Sequence, residues 1–141
     1  MLDFKFNDGG RLAAGYKSKT GDCFVRAYCI LFDVEYKRAC VELFDIKNPT
    51  VIDHYSKEIY KFFFTNNYLI KAKQPLGVYY SLSEAHEKYG NCIALVHKHA
   101  FAIINGCVND TVDLRFAKRG GGERKALGVW FPQNSIKSID F

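Results

Sequence analysis

The sequence predicts an α+β fold, with helices first and an antiparallel sheet after them. Three observations carry this expectation. Apolar residues between positions 23 and 66 recur at helical spacing. From position 91 onward the apolar runs are short and bounded by turn residues, as strands require. Finally, Asn105-Gly106 separates two such runs, and both residues tolerate the positive φ that a two-residue hairpin demands. Helices followed by strands suggest a helical layer packed on an antiparallel sheet.

The elements follow in order. Leu2 to Phe6 alternates like a short strand, and the Gly-rich stretch to residue 21 reads as an irregular arm. Phe24, Ala27, Tyr28 and Leu31 form an i, i+3, i+4, i+7 stripe, which predicts a helix over Cys23 to Phe32. Asp22 or Thr20 is placed to cap it. Tyr36, Ala39, Cys40 and Leu43 predict a second helix over Glu35 to Phe44, which Asn48-Pro49 ends. A third is expected over Val51 to Asn66, then a short strand over Tyr68 to Ala72. Ser81 and Glu84 open a short helix over Ser83 to Lys88, closed by Gly90. Strands are expected over Asn91 to His97, His99 to Ile104, Cys107 to Asp113 and Ala126 to Phe131.

The totals bound the class. A chain of 141 residues suits one domain, 1–141, with a single core. An apolar fraction of 48% against 25% charged residues indicates a globular chain rather than a disordered one. The net charge of +5 is scattered, with no run of five like charges, so a solvated surface is a better reading than a nucleic-acid patch. Five cysteines, an odd number without a C-x-x-C pair, fit a reduced cytoplasmic chain. No leader-like start or spanning apolar run suggests a membrane.

One constellation has the makings of chemistry. A thiol attacks as the thiolate, and a helix N-terminus favours an anion there through its partial positive charge. Cys23 stands at that position. The same free N–H groups can hold a developing oxyanion. Asp22 would oppose the thiolate unless its carboxylate turns toward the cap.

A base is needed next. Counting outward from the Asn105-Gly106 turn pairs Ile104 with Cys107 and Phe101 with Asp110. Asp110 is then the diagonal neighbour of His99 on one face, within reach of a His–Asp hydrogen bond. A one-residue slip would offer Asn109 instead. His97 is the second candidate base, since the same alternation puts it on the face of His99. His54 and His86 read as surface residues, and Cys29, Cys40, Cys92 and Cys107 as packing residues. No cofactor is expected: Gly120 to Gly122 follow no strand-to-helix phosphate pattern. Nor is a metal expected, because Cys23, His97 and His99 lack zinc-ligand spacing.

Several stretches carry a family resemblance. They are Asp8-Gly9-Gly10-Arg11, Ala14-Gly15, Gly21-Asp22-Cys23-Phe24-Val25-Arg26-Ala27, the run from His99 to Thr111, and Arg124 to Trp130. In this order they resemble small bacterial and phage proteins described as papain-like or peptidase C39-like. The resemblance implies a papain-like fold, with N-terminal helices packed on a C-terminal antiparallel β-sheet. It implies Cys23 as nucleophile, His99 as general base and Asp110 as the residue that orients it. A protein or peptide substrate follows from the same likeness. Such enzymes place a glutamine about six residues before the cysteine to help hold the oxyanion. Here Lys17 stands there, with Ser18, Thr20 or backbone N–H groups as substitutes, and Gln74 and Gln133 lie far off in sequence.

Two function classes result. The first is a thiol hydrolase acting on an amide or isopeptide bond, and the same constellation serves acyl transfer or deamidation. The second is a non-catalytic papain-like binding module, such as a phage protein that grips or blocks a host protein.

Overall fold

The computed structural model describes residues 1–16, 22–43, 69–117 and 121–133. The expected third helix, over Val51 to Asn66, lies outside them, as does His54. In chain order the elements are strand β1 (Asp3–Phe6), helix α1 (Cys23–Phe32), a single turn α2 (Tyr36–Arg38) and a π-helical stretch (Ala39–Leu43). Then come β2 (Leu69–Lys71), α3 (Leu82–Tyr89), β3 (Cys92–Val96), β4 (His99–Ile104), β5 (Cys107–Asp110) and β6 (Gly128–Pro132). Among the described residues no helix is long and apolar enough to cross a membrane.

The fold is α+β, built on a six-stranded sheet in the order β1-β5-β4-β3-β6-β2. It differs from the expected C-terminal antiparallel sheet in two ways. β1 joins from the N-terminal arm and pairs parallel with β5, Asp3 opposite Cys107 and Phe6 opposite Asp110. β2, which precedes α3, closes the other edge against β6. The sheet is therefore mixed and draws on both halves of the chain. Alternate residues of its strands enter two apolar clusters. Ile93, Ala100, Ala102 and Trp130 join the cluster of α1, and Ala94, Phe101, Ile103 and Val129 join that of α3.

Local signals explain most element ends. Ser81 accepts from the Glu84 N–H at 3.2 Å while the Glu84 carboxylate accepts from the Ser81 N–H at 3.0 Å, a reciprocal pair that starts α3. Asp33, in the left-handed region at φ 53°, ends α1. Asn105 and Gly106 take φ 50° and 80°, the paired positive values of the tight hairpin turn. The buried residues of α1 differ from its predicted stripe: Leu31 is only partly buried, while Cys23, Val25 and Cys29 are buried as well, in a cluster that Ala14, Tyr16 and Tyr36 join.

Some boundaries moved. β5 stops at Asp110 rather than Asp113, because the Asp110 carboxylate takes the Thr111 N–H and so replaces a ladder partner. β6 starts at Gly128 rather than Ala126, whose N–H is taken by Tyr80 O at 2.8 Å. His97 and Lys98 form the β3–β4 turn, with Lys98 at φ 54°.

Candidate functional site

Cys23 opens α1, as its position after the Gly-Asp pair predicts. Asp22 is the N-cap residue by position, yet its side chain makes no cap hydrogen bond. The carboxylate neither caps the helix, as expected from sequence, nor stands as a lone anion beside the sulfur. Its Oδ2 accepts from Arg11 Nη1 at 3.0 Å and from the Tyr36 hydroxyl at 2.7 Å. Its Oδ1 lies 3.1 Å from Arg26 Nε, aligned for charge pairing but not for a hydrogen bond. Two guanidinium groups thus offset a buried carboxylate, as burial of a charge requires.

The β4–β5 hairpin supplies the other two groups. Its register pairs Ile104 with Cys107, Ile103 with Val108 and Ala102 with Asn109, as counted from the turn. His99 therefore begins β4 and Asp110 ends β5, at one end of the sheet. Their side chains meet, with His99 Nε2 2.6 Å from Asp110 Oδ2. The second carboxylate oxygen, Oδ1, accepts the Thr111 N–H at 2.8 Å. Asn109 is not the partner of His99: its amide bonds Asn7 and the Cys107 carbonyl instead.

The His99 ring also lies close enough to the Cys23 thiol for the two to interact electrostatically. With Nε2 engaged by Asp110, the nitrogen left for sulfur is Nδ1. So the structure brings together all three residues singled out in the sequence: Cys23 from α1, His99 from β4 and Asp110 from β5. Burial alone would push the His99 ring toward the neutral form. The hydrogen bond to Asp110 and the contact with Cys23 outweigh it and raise the imidazole to about 9. At neutral pH the ring carries a proton, and an imidazolium beside sulfur is the cation that a thiolate nucleophile needs.

The other thiols sit in different surroundings. All five cysteines are free, and Cys29, Cys40 and Cys92 are buried. Desolvation pushes Cys29 and Cys92 up to about 12 and Cys40 to about 11, so they remain protonated and inert. Cys107 is partly exposed at the start of β5.

The other sequence candidates fall elsewhere. His97 is exposed in the β3–β4 turn and not on the strand face that alternation assigned to it, because the turn interrupts the ladder there. Lys17, Ser18 and Thr20 lie outside the described residues. Gln74 donates to Ala126 O at 3.4 Å, on the β2–β6 side of the sheet, and Gln133 is exposed beyond β6.

Sequence reasoning also missed supporting residues. His86, read as a surface residue, bridges α3 to the hairpin: Nε2 accepts the Gly106 N–H at 2.9 Å and Nδ1 faces Gly90 O at 3.0 Å. Asp8 holds the arm in shape, accepting from the N–H groups of Gly10 and Leu12 at 2.9 Å each. Gly9, at φ +70°, lies so close to α1 that a Cβ there would stand 3.0 Å from Arg26 Cα and O. These aspartate and glycine roles explain the Asp8-Gly9-Gly10-Arg11 stretch as a clasp on α1, ending in the ion pair of Arg11 with Asp22.

Cys23 itself is only 3% exposed. A cavity of about 630 Å³ lies not at the sulfur but between the arm and the far half of α1, lined by Gly9, Ala13, Cys29, Asp33 and Tyr36 among others. The three groups meeting at the α1 N-terminus are thus identified by their mutual geometry. No family model, curated protein or solved structure matches this chain.

Proposed function

We propose that this chain is a papain-like thiol hydrolase that cleaves an amide or isopeptide bond in a protein or peptide, in the cytoplasm of a bacterium or a phage-infected host. The observation that carries the reading is the contact chain from Cys23 to His99 to Asp110, with 2.6 Å between His99 Nε2 and Asp110 Oδ2. Nucleophile, base and orienter within mutual reach is the arrangement that covalent acyl chemistry requires.

In this reading the Cys23 thiolate attacks the carbonyl carbon of the scissile bond, and the carbonyl oxygen becomes an oxyanion. First-turn N–H groups of α1, which the Asp22 side chain leaves uncapped, are suited to hold it. The imidazolium of His99 gives its proton to the leaving nitrogen as the C–N bond breaks, leaving a thioester on Cys23. Neutral His99 then takes a proton from water, the hydroxide adds to the thioester, and the acid departs as the Cys23 thiolate is regenerated beside the protonated ring. Asp110 keeps the ring oriented throughout and stabilises its charged form. With an amine in place of water the same steps transfer the acyl group.

The non-catalytic binding module is favoured by one observation, the 3% exposure of Cys23. Iodoacetamide separates the two readings. At roughly pH 6, where ordinary cysteines are almost wholly protonated, Cys23 is labelled well ahead of the other four thiols, and His99→Ala slows that labelling. Mass-spectrometric mapping that finds Cys23 no faster than Cys107 overturns the hydrolase.

A further inference from the structure

We propose that Arg26 is a positioning residue that sets the separation between Cys23 and the His99–Asp110 pair by gripping both sides of the site. This inference rests on the catalytic roles proposed for those three groups. Arg26 lies one turn beyond Cys23 on α1. On the nucleophile's side its Nε stands 3.1 Å from Asp22 Oδ1, and Asp22 is the residue covalently joined to Cys23. On the other side its Nη1 donates to Thr111 Oγ1 at 3.0 Å, across 85 positions of sequence. Thr111 in turn donates its N–H to Asp110 Oδ1 at 2.8 Å, and Asp110 Oδ2 holds His99. The ring closes where His99 meets Cys23.

Two separate elements must meet for the thiol and the imidazole to stay in line, and a small shift of either is enough to lose the reaction geometry. A guanidinium suits the task because its planar, delocalised charge faces Asp22 along the Nε edge while Nη1 donates to Thr111, a span that a lysine ammonium cannot reproduce. Charge neutralisation alone does not account for Arg26. Asp22 already has a cation in Arg11, 3.0 Å from Oδ2, and a hydroxyl donor in Tyr36. The Nη1 bond to Thr111 adds nothing to that pairing. What it adds is a tie between α1 and the end of β5.

The test uses the full chain and three substitutions, with iodoacetamide as the probe of Cys23 and the His99 ring followed by NMR titration. Thr111→Val removes the hydroxyl acceptor while leaving both guanidinium partners of Asp22. Arg26→Lys keeps the charge but not the fork. Each is expected to slow Cys23 alkylation about tenfold. Each is also expected to lower the His99 titration midpoint toward an ordinary imidazole, with little change in the unfolding midpoint, and Thr111→Ser should restore both. If Thr111→Val matches the parent in rate and titration while His99→Ala slows Cys23, the clamp is overturned and the catalytic reading stands. If His99→Ala leaves the Cys23 rate unchanged, the catalytic reading fails and the clamp fails with it. Should Arg26→Lys not fold, Thr111→Val and its serine control decide the matter alone.

Discussion

Cys23 and Cys29 stand on the same helix, six residues apart, and each is 3% exposed. By burial they are the same residue. Their neighbours differ. Cys23 meets the imidazolium of His99, whereas Cys29 sits among apolar side chains with Cys40 and Asp22 nearby, and its thiol is driven up to about 12. Exposure therefore does not separate the proposed nucleophile from a packing thiol. What differs is the group that faces each sulfur, and that is set by which strand end lies against which helix turn.

The largest expected effect comes from replacing each thiol in turn. Cys23→Ala should abolish hydrolysis of a cleavable peptide while leaving the fold intact. Cys29→Ala should leave turnover near the parent value and cost only about 1 kcal/mol from the small void. Turnover assays with denaturant unfolding read both. Hydrolysis surviving in Cys23→Ala breaks the comparison outright.

A change in pH should sharpen it. His99 gains proton affinity on folding, from the ordinary 6.5 to about 9. Its protonated pairing therefore contributes stability that is fully present below about 6.5 and is lost as pH rises through about 9. The general acid disappears over the same range, so kcat/KM should fall about tenfold per pH unit above 9. Alkylation of Cys23 needs only the thiolate and should not fall with it. A peptidase profile that keeps rising beyond pH 9 removes His99 from the reaction.

The smallest effect concerns the clasp that steadies the Cys23 end of α1. Gly9→Ala combines a positive φ with a Cβ contact at 3.0 Å to the Arg26 backbone. It should destabilise the protein by roughly 1–3 kcal/mol in chemical denaturation. An unchanged midpoint means that the arm does not brace that turn.

Much of this was legible in the residues because the governing interactions are local. The stripe of Phe24, Ala27, Tyr28 and Leu31 predicted α1 over its observed span, Cys23–Phe32. Ser81, Glu84 and Gly90 marked α3, with its ends one residue wider than expected. The Asn105-Gly106 turn set the β4–β5 register, and register alone decided that Asp110, not Asn109, reaches His99. A two-residue turn leaves no freedom in pairing, so counting outward from it suffices. His97 was misplaced by the same arithmetic, because counting assumed an unbroken strand where a second turn intervenes.

The sequence by itself determined the helix that carries Cys23 and the hairpin that joins His99 to Asp110, since short-range spacing and turn chemistry suffice for each. Only the tertiary structure decided that these two units meet. It also decided that β1 pairs parallel with β5, that Arg11 and Arg26 share Asp22, and that Thr111 answers Arg26 from 85 positions away. Such contacts join segments with no local signal for one another. They exist because a buried carboxylate must find cations, and an arm with free backbone groups must find a strand, wherever the packed core happens to bring them.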